Sequence, residues 1–244
     1  MALAWNPNGQ ILATGGFGTV QLWNPDNGKL RLTLFTPFSR IDTPNAPSEA
    51  TFPQGNIDSL SWSPEGQTLA IAGEDRTIHL WDVDSQRITR QIKADQGWIK
   101  QLSWSPDGQR WAVLGENIRL KLWDAKRGKA IKTLSGFEGS VVGLSWHLNN
   151  KTLAIALNNG GIELWDVTSG AIQPVMEPPT PANPAQPAVS SVVAWNPNGQ
   201  TLTVGRGDRL SSVKIPECST IPVNSSQKPS PKILPLGYWA NPSP

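Results

Sequence analysis

The sequence predicts an all-β protein assembled from repeats of one four-stranded antiparallel unit. Three observations support this fold class: two tryptophan-containing motifs recur at a fixed interval, apolar and polar residues alternate within short runs, and segments with helical periodicity are missing. Pro and Gly are abundant, at 22 each among 244 residues, as expected of a chain with many turns.

The stretch from Trp98 to Leu134 displays the unit most clearly. Turn residues separate four short runs, which are Leu102–Trp104, Trp111–Leu114, Ile118–Trp123 and Lys129–Leu134. In the third run, Ile118, Leu120 and Leu122 alternate with charged residues, which is the period of two that a strand requires. The fourth run carries Lys129 and Lys132, and such charges protect an edge strand from stray pairing. The stretch therefore predicts a four-stranded antiparallel meander.

The repeat is defined by two tryptophan positions that together account for nine of the twelve tryptophans. The first position lies in a Leu-Ser-Trp motif or a variant of it, at Trp5, Trp62, Trp104, Trp146 and Trp195. The second lies in a Leu-Trp-Asp motif or a variant of it, at Trp23, Trp81, Trp123 and Trp165. Because the middle copies are 42 residues apart, we interpret these tryptophans as packing residues of the repeat. Over residues 2 to 224 the pattern resembles the WD40 repeat, whose units form the four-stranded blades of a β-propeller.

The resemblance implies five blades, forming either a closed five-bladed ring or an open arc of a larger propeller. We expect the blades at residues 2–35, 57–93, 98–135, 140–176 and 189–224. Pro-rich insertions follow the first and fourth units, at residues 36–55 and 177–187. In the fifth unit Val213 replaces the second tryptophan, and Thr220–Val223 is the expected outer strand. A Pro-rich tail, 225–244, completes the expected organisation.

WD40 repeats often contain a buried hydrogen-bonded set of a Gly-His, a Ser or Thr, the Trp and an Asp, of which this chain keeps little. Asp75 matches the Asp, whereas Phe17, Asn117 and Asn159 occupy its place elsewhere. The Gly-His is absent, and Thr14 is the only hydroxyl at the expected strand position. A buried Trp removes about 150–250 Å² from water, worth up to about 6 kcal/mol, against about 1 kcal/mol for a hydrogen bond. We therefore expect apolar stacking to dominate stability.

Candidate residues for chemistry are sparse, so we expect no enzymatic activity, no cofactor and no metal site. His79 is expected at an outward-facing strand position and His147 in a turn, both with structural roles. Arg206, Gly207 and Asp208 spell an integrin-type tripeptide in a turn where such residues are ordinary. A small basic group comprises Lys126, Arg127, Lys129 and Lys132, and solvation explains it.

Net charge, hydropathy and cysteine content limit the class of partner and the cellular compartment that we expect. The net charge of +2 gives no reason to expect a nucleic acid partner, and no apolar run is long enough to span a membrane. The single cysteine, Cys218, excludes an internal disulfide framework. The chain opens directly on strand sequence without a recognisable secretory leader. A cytoplasmic location is the expectation.

The resemblance also implies where a partner would dock. In WD40 propellers the connection between the second and third strands and the connection between blades emerge on the same rim, which is the usual docking surface. Rim candidates for binding a protein or peptide are Trp98, Phe17, Arg76, Asn117, Asn159 and Arg206. Trp98 replaces a small polar residue there, and exposed aromatics are enriched in contact hot spots; packing over a blade edge is the equal alternative.

The sequence thus predicts a non-enzymatic interaction scaffold. An incomplete propeller, part of a longer protein, that completes its ring by self-association is an alternative, because each blade face needs a neighbour. A propeller that binds a ligand or substrate in its central channel is a third.

Overall fold

The chain folds into five four-stranded antiparallel sheets, which we call blades 1 to 5 in chain order. A computed structural model describes residues 1–34, 55–94, 97–116, 119–134, 137, 139–176, 191–206, 209–215 and 233–234. Within these residues all regular secondary structure is β-strand. The repeat expected from the tryptophan spacing is therefore present as a structural unit.

Each blade is a meander in which consecutive strands pair, so strand order in space follows strand order in sequence. Blade 1 contains β1 (Ala2–Trp5), β2 (Leu12–Gly16), β3 (Thr19–Asn24) and β4 (Lys29–Thr33). Blade 2 contains β5 (Ile57–Trp62), β6 (Thr68–Gly73), β7 (Thr77–Asp82) and β8 (Arg87–Lys93). Blade 3 contains β9 (Ile99–Trp104), β10 (Arg110–Gly115), β11 (Leu120–Asp124) and β12 (Lys129–Leu134).

Blades 4 and 5 repeat this arrangement. Blade 4 contains β13 (Val141–Trp146), β14 (Thr152–Leu157), β15 (Ile162–Asp166) and β16 (Ile172–Met176). Blade 5 contains β17 (Ser191–Trp195), β18 (Thr201–Arg206), β19 (Arg209–Lys214) and β20 (Ile233–Leu234).

The turn between the first two strands is built by short polar residues and a glycine. In blade 3 the Ser105 hydroxyl accepts a hydrogen bond from the Arg110 amide at 3.0 Å, and the Gly108 amide donates to the Ser105 carbonyl at 2.9 Å. Gly108 has a φ of 68°, a left-handed conformation that favours glycine. Blade 2 repeats this turn with Ser63 and Gly66.

The blades fall into two compact units, Met1–Ser135 and Gly136–Pro244. Blades 1, 2 and 3 pack in sequence within the first unit, and blades 4 and 5 pack together in the second. At each of these contacts a small residue of one blade and a tryptophan of the next share an apolar cluster. The pairs are Ala13 with Trp62, Ala70 with Trp111, and Ala154 with Trp195.

The repeat tryptophans are not equally buried, and one expectation about them is wrong. Those that are buried are Trp62, Trp81, Trp123, Trp146 and Trp165, and those that are half-buried are Trp23, Trp104 and Trp195. Trp5, expected as a packing residue, is 55% exposed, because it lies on the face of blade 1 turned away from blade 2.

The outer strand of blade 5 is also corrected. β20 pairs with β19 through Ile233 and Leu234, within the stretch that the sequence analysis places in the Pro-rich tail. Thr220–Val223, the outer strand expected from sequence, lies outside the described residues. Because a two-residue β-bridge has almost no sequence pattern, the segment that completes the sheet could not be read from alternation.

Candidate functional site

One end of blades 2, 3 and 4 brings two connections side by side through the same backbone hydrogen bond. The amide of the residue after the second strand donates to the carbonyl of the residue before the first strand. The pairs are Glu74 with Asn56 at 3.1 Å, Glu116 with Trp98 at 2.7 Å, and Asn158 with Ser140 at 2.8 Å. We call this end of the blades, with the loops between their second and third strands, the loop rim.

The loop rim of blade 2 is held by a charged residue. The Glu74 carboxylate accepts hydrogen bonds from the Asn56 amide at 3.1 Å and from Asn56 Nδ2 at 2.9 Å. These bonds, the backbone one most strongly, lower the pKa of the Glu74 carboxyl below its ordinary value, with a smaller contribution from the Lys100 charge. In blade 4 the neutral Asn158 side chain accepts from the equivalent amide, that of Ser140, at 2.9 Å.

Trp98 lies on the loop rim of blade 3 with 36% of its surface exposed. The Lys100 Nζ atom sits 4.7 Å from the centre of its ring and 4.0 Å from the Asp58 carboxylate. Lys100 therefore stacks its charge on the indole, a cation–π contact that sequence reasoning missed. Trp98 directly precedes β9 and Lys100 is the second residue of that strand, so the spacing of two was the signal in the sequence.

Phe17 lies on the loop rim of blade 1 in a strained conformation. Its side chain is 83% exposed and its φ is 30°, in the left-handed region that L-residues with a Cβ rarely adopt. Gly16 and Gly18 flank it. The blade gains no packing from this ring, although glycine would relieve the strain, so the aromatic has no structural explanation within the blade.

The other rim candidates differ in how exposed they are and in the hydrogen bonds that they make. Arg76 is exposed at φ 65°, and its amide and carbonyl are bonded to Gly73 and Ala94. Asn159 is half-buried and its Oδ1 accepts from the Gly161 amide at 2.9 Å, which closes its own turn. Asn117 lies outside the described residues.

Arg206 is placed differently from the sequence interpretation. It ends β18, paired with Arg209, and is not in the turn itself. Its side chain is half-buried, and burial lowers the pKa of its guanidinium. Gly207 and Asp208 lie outside the described residues, so the tripeptide as a whole has no described geometry.

The half-buried Asp75 and the buried His79 form a pair that contradicts the surface role expected for His79. Asp75 Oδ1 accepts from the Thr77 amide at 3.1 Å, and Asp75 Oδ2 lies 2.6 Å from His79 Nε2. His79 is only 2% exposed. His79 lies two residues before Trp81 on β7, so the two side chains share one face of the strand. That face packs toward blade 1, which is why the surface position expected for His79 was wrong. The Asp75-to-His79 spacing was the signal available in the sequence.

Trp23 and Thr14 make the hydrogen bond anticipated for the hydroxyl position. Trp23 Nε1 donates to Thr14 Oγ1 at 2.9 Å within blade 1. In blade 3 the equivalent indole nitrogen, that of Trp123, is buried with no hydrogen-bond partner among the described residues. The hydrogen-bonded set of the repeat is thus only partly present: the Trp23–Thr14 bond lies in blade 1, and the Asp75–His79 contact lies in blade 2.

The basic group on blade 3 has a structural partner. Arg90, on β8 of blade 2, donates to the carbonyls of Ala125, Lys126 and Arg127 at 3.3, 2.7 and 2.7 Å. Arg127 in turn is 3.3 Å from the Asp124 carboxylate. This turn therefore joins the outer strands of two blades through main-chain carbonyls.

Clustered metal-ligating or membrane-spanning features are not seen in the part of the chain that the structure describes. Within it, no three His, Cys, Asp or Glu side chains gather as a metal ion requires. The same residues include no helix with the length and apolar character needed to cross a bilayer.

Two family models match parts of the sequence. The model of the anaphase-promoting complex subunit 4 WD40 domain matches residues 38–98. The model of the WD domain, G-beta repeat, matches residues 1–24 and 128–166.

Curated relatives match over shorter stretches than the whole chain. WD repeat-containing protein VIP3 of Arabidopsis thaliana is 35% identical over 94 residues, which are 38% of this chain and 28% of that protein. WD repeat-containing protein AAC3 of Dictyostelium discoideum is 33% identical over 89 residues, 34% of this chain and 19% of that protein. The matched region is therefore less than a third of either relative.

The fold is matched more completely than the sequence. The crystal structure of the Cps50 (Swd1) β-propeller domain of Myceliophteria thermophila superposes with a TM-score of 0.72 at 17% identity, covering 95% of this chain and 69% of that one. At that identity the likeness concerns the fold alone. The two WD40 family models, which match residues 1–24, 38–98 and 128–166, and the WD repeat-containing relatives show that the chain belongs to the WD40-repeat β-propeller family.

Proposed function

We propose that this chain is a non-enzymatic scaffold that binds a protein or peptide partner on the loop rim of its first unit. WD40 propellers are generally protein-interaction scaffolds, and that is the coarse function of the family. The observation that supports the rim is the pair of aromatic side chains presented there, Phe17 at 83% exposure and Trp98 at 36%.

The chemistry of these positions suits a docking surface. Aromatic and Arg side chains dominate the energetics of protein interfaces because they bury a large area at a small entropic cost. Trp98 offers an indole that Lys100 Nζ contacts at 4.7 Å, and Arg76 adds an exposed residue with a guanidinium on the neighbouring blade. The strain at Phe17 is accounted for if the ring is buried by a partner.

The compartment and the partner class belong to the same proposal. A single cysteine, Cys218, suits a reducing compartment, so we place the scaffold in the cytoplasm. The partner is a protein or a peptide, and neither a nucleic acid nor a membrane surface is required by any charge pattern in the chain.

Quantitative affinity capture with rim variants tests this function. We expect Trp98→Ala and Phe17→Ala each to reduce recovery of a specific partner at least about tenfold, since loss of a hot-spot side chain costs about 2 kcal/mol or more. Ile131→Ala is the matched control, because Ile131 is also an exposed apolar residue (55%) but lies on the outer strand β12.

The control separates a docking surface from general stickiness. Equal loss in Ile131→Ala and in the rim variants would indicate non-specific apolar binding. Full recovery in both rim variants would exclude this surface as the docking site.

A further inference from the structure

The charged side chains at the loop rim of blades 2 and 3 differ in whether they have partners within the chain. Three carboxylates have such partners, which for Asp58, Glu74 and Asp75 are Lys100 Nζ at 4.0 Å, the two Asn56 donors at 3.1 and 2.9 Å, and His79 Nε2 at 2.6 Å. A carboxylate whose charge is partly neutralised in this way attracts a further cation less strongly. Most of the negative charge of this rim is therefore already used inside the chain.

The two arginines on the same loops have no internal partner of this kind. Arg76 lies in the turn between β6 and β7, and Arg119 directly precedes β11. Both residues are exposed. Among the described residues, neither side chain makes an ion pair or a hydrogen bond. The positive charge of the rim is thus available to another molecule.

Backbone hydrogen bonds hold Arg119 next to Trp98. The Glu116 amide donates to the Trp98 carbonyl at 2.7 Å, and the preceding amide, that of Gly115, donates to the Arg119 carbonyl at 3.2 Å. Two consecutive amides therefore join the arginine and the half-exposed indole to the same end of β10.

Arg76 is held near the same indole from blade 2. Its carbonyl accepts a hydrogen bond from the Ala94 amide at 3.2 Å. Ala94 is four residues before Trp98, so their Cα atoms are about 14 Å apart at most. Lys100 adds a third cation, since its side chain is 45% exposed and its Nζ lies 4.7 Å from the centre of the Trp98 ring. Trp98 is thus the apolar centre of a group of cations.

We propose that the loop rim of blades 2 and 3 binds an acidic peptide segment of a partner protein. An apolar side chain of that segment packs on Trp98, and its carboxylates pair with Arg76 and Arg119. A guanidinium suits this role because its fork of donors matches the two oxygens of a carboxylate. The inference rests on the proposed function, since it names the chemistry of the partner at the same rim.

Charge complementarity selects this occupant. A basic peptide would meet the unpaired charges of Arg76 and Arg119, and the described carboxylates of the rim, apart from the exposed Glu116, already have partners. A nucleic acid fits less well because its phosphates are continuous, whereas Glu74 and Glu116 lie two and three residues from the arginines and would repel them. Separate carboxylates on a peptide avoid that repulsion.

Selection from a phage-displayed random-peptide library on the complete chain tests the proposal. We expect the enriched peptides to be rich in Asp and Glu and to contain an apolar or aromatic residue. Fluorescence anisotropy of a labelled peptide with the consensus sequence then measures the affinity. That affinity should fall as salt is raised, and also when the acidic residues of the peptide are replaced by their amides.

A double charge reversal identifies the cations that bind the peptide. We expect Arg76→Glu combined with Arg119→Glu to weaken binding at least about tenfold, because repulsion replaces attraction at both sites. Arg87→Glu combined with Lys129→Glu is the matched control. These exposed residues begin β8 and β12, at the end of the same two blades away from the loop rim, so binding should be unchanged. All four sites are exposed, and circular dichroism should show unchanged folding.

Two results would overturn the inference and leave the rim function standing. One is a set of enriched peptides that Trp98→Ala weakens but that are neutral or basic. The other is an acidic peptide whose affinity the Arg76 and Arg119 reversal leaves intact. Tighter binding of a labelled oligothymidylate than of the peptide, lost in the same double variant, would overturn it in favour of a nucleic acid. A selection without any peptide that Trp98→Ala or the double reversal weakens would contradict the rim function itself.

Discussion

At the scale of single residues, this chain replaces the hydrogen-bonded set of its family with local substitutes. The Asp75 carboxylate closes the turn before β7 and also binds His79, four residues later. The histidine that the family places before the first strand is thus replaced by one on the third strand. The contact with Asp75 is stabilising, because burying an imidazole nitrogen without a hydrogen-bond partner lowers the stability of the folded state.

Asp75→Ala tests the importance of this pair. The change removes the acceptor of the Thr77 amide and leaves His79 Nε2 buried without its partner, so we expect a loss of about 1–3 kcal/mol in the free energy of unfolding. Urea denaturation followed by tryptophan fluorescence measures it. Asp84→Ala, at an exposed turn position, is the control and should change stability by less than about 0.5 kcal/mol. Equal effects of the two changes would show that the buried pair contributes nothing specific.

At the scale of elements, the turn after the first strand decides whether neighbouring blades are joined by a side chain. Asn6 in blade 1 and His147 in blade 4 are long enough to reach the glycine carbonyl of the next blade, Gly66 and Gly199 respectively, both at 2.8 Å. Ser105, at the same position in blade 3, is shorter and bonds within its own turn. The length of the side chain at this turn position therefore decides whether it bonds the next blade or its own turn.

His147 makes further contacts in addition to the hydrogen bond to the next blade. Its Nε2 donates to the Gly199 carbonyl while its Nδ1 accepts from the Asn149 amide at 3.1 Å, so the neutral ring has its proton on Nε2. The ring also meets Trp195 edge to face, with centroids 4.5 Å apart. The residue that the sequence analysis treats as an ordinary turn residue thus joins blade 4 to blade 5.

Graded substitution of His147 tests this element. We expect His147→Ser to lower the free energy of unfolding by about 1–3 kcal/mol, since it loses both the hydrogen bond and the ring contact. His147→Asn should recover about 1 kcal/mol of that loss, because asparagine makes the same bond in blade 1. Thermal unfolding monitored by calorimetry provides the comparison. Identical behaviour of the two variants would mean that the link to Gly199 does not stabilise the second unit.

At the scale of the whole molecule, we expect stability to rest on the apolar layers between blades more than on the polar set of the repeat. Leu69, Trp111 and Leu153 are fully buried in three successive blades. By contrast, the indole nitrogens of Trp104, Trp111 and Trp123 are buried without a hydrogen-bond partner in the described part of the chain. A chain that tolerates those unsatisfied groups must gain more from burying the rings than it loses.

A pair of variants in the first unit compares the two contributions directly. We expect Leu69→Ala to cost about 2–5 kcal/mol, because it opens a cavity between blades 1 and 2. Thr14→Val removes the acceptor of Trp23 Nε1 and should cost only about 1 kcal/mol, since Trp23 remains half-exposed to water. Equilibrium denaturation of both variants measures the difference. A larger loss in Thr14→Val than in Leu69→Ala would reverse the order of importance assigned here.

The sequence by itself determined the repeat unit, the number of blades and, for blade 3, its four strands to within three residues, whereas the outer strand of blade 5 was missed. It could do so because strand alternation and turn chemistry are local, and because the tryptophan motifs recur in every unit, 42 residues apart in the middle copies. The sequence also named Phe17 and Trp98 as rim residues, but it left packing over a blade edge as an equal alternative for Trp98.

Only the tertiary structure decided which of these residues have neighbours. The sequence pattern of Trp5 matches that of Trp62, yet one is exposed and the other buried, because the difference lies in whether another blade covers the face. The same holds for Asn196 and Asn6, which share an identical heptapeptide. His79 was misplaced, and β20 was missed, for a related reason: burial and strand pairing depend on residues far away in the sequence, and local alternation contains no information about them.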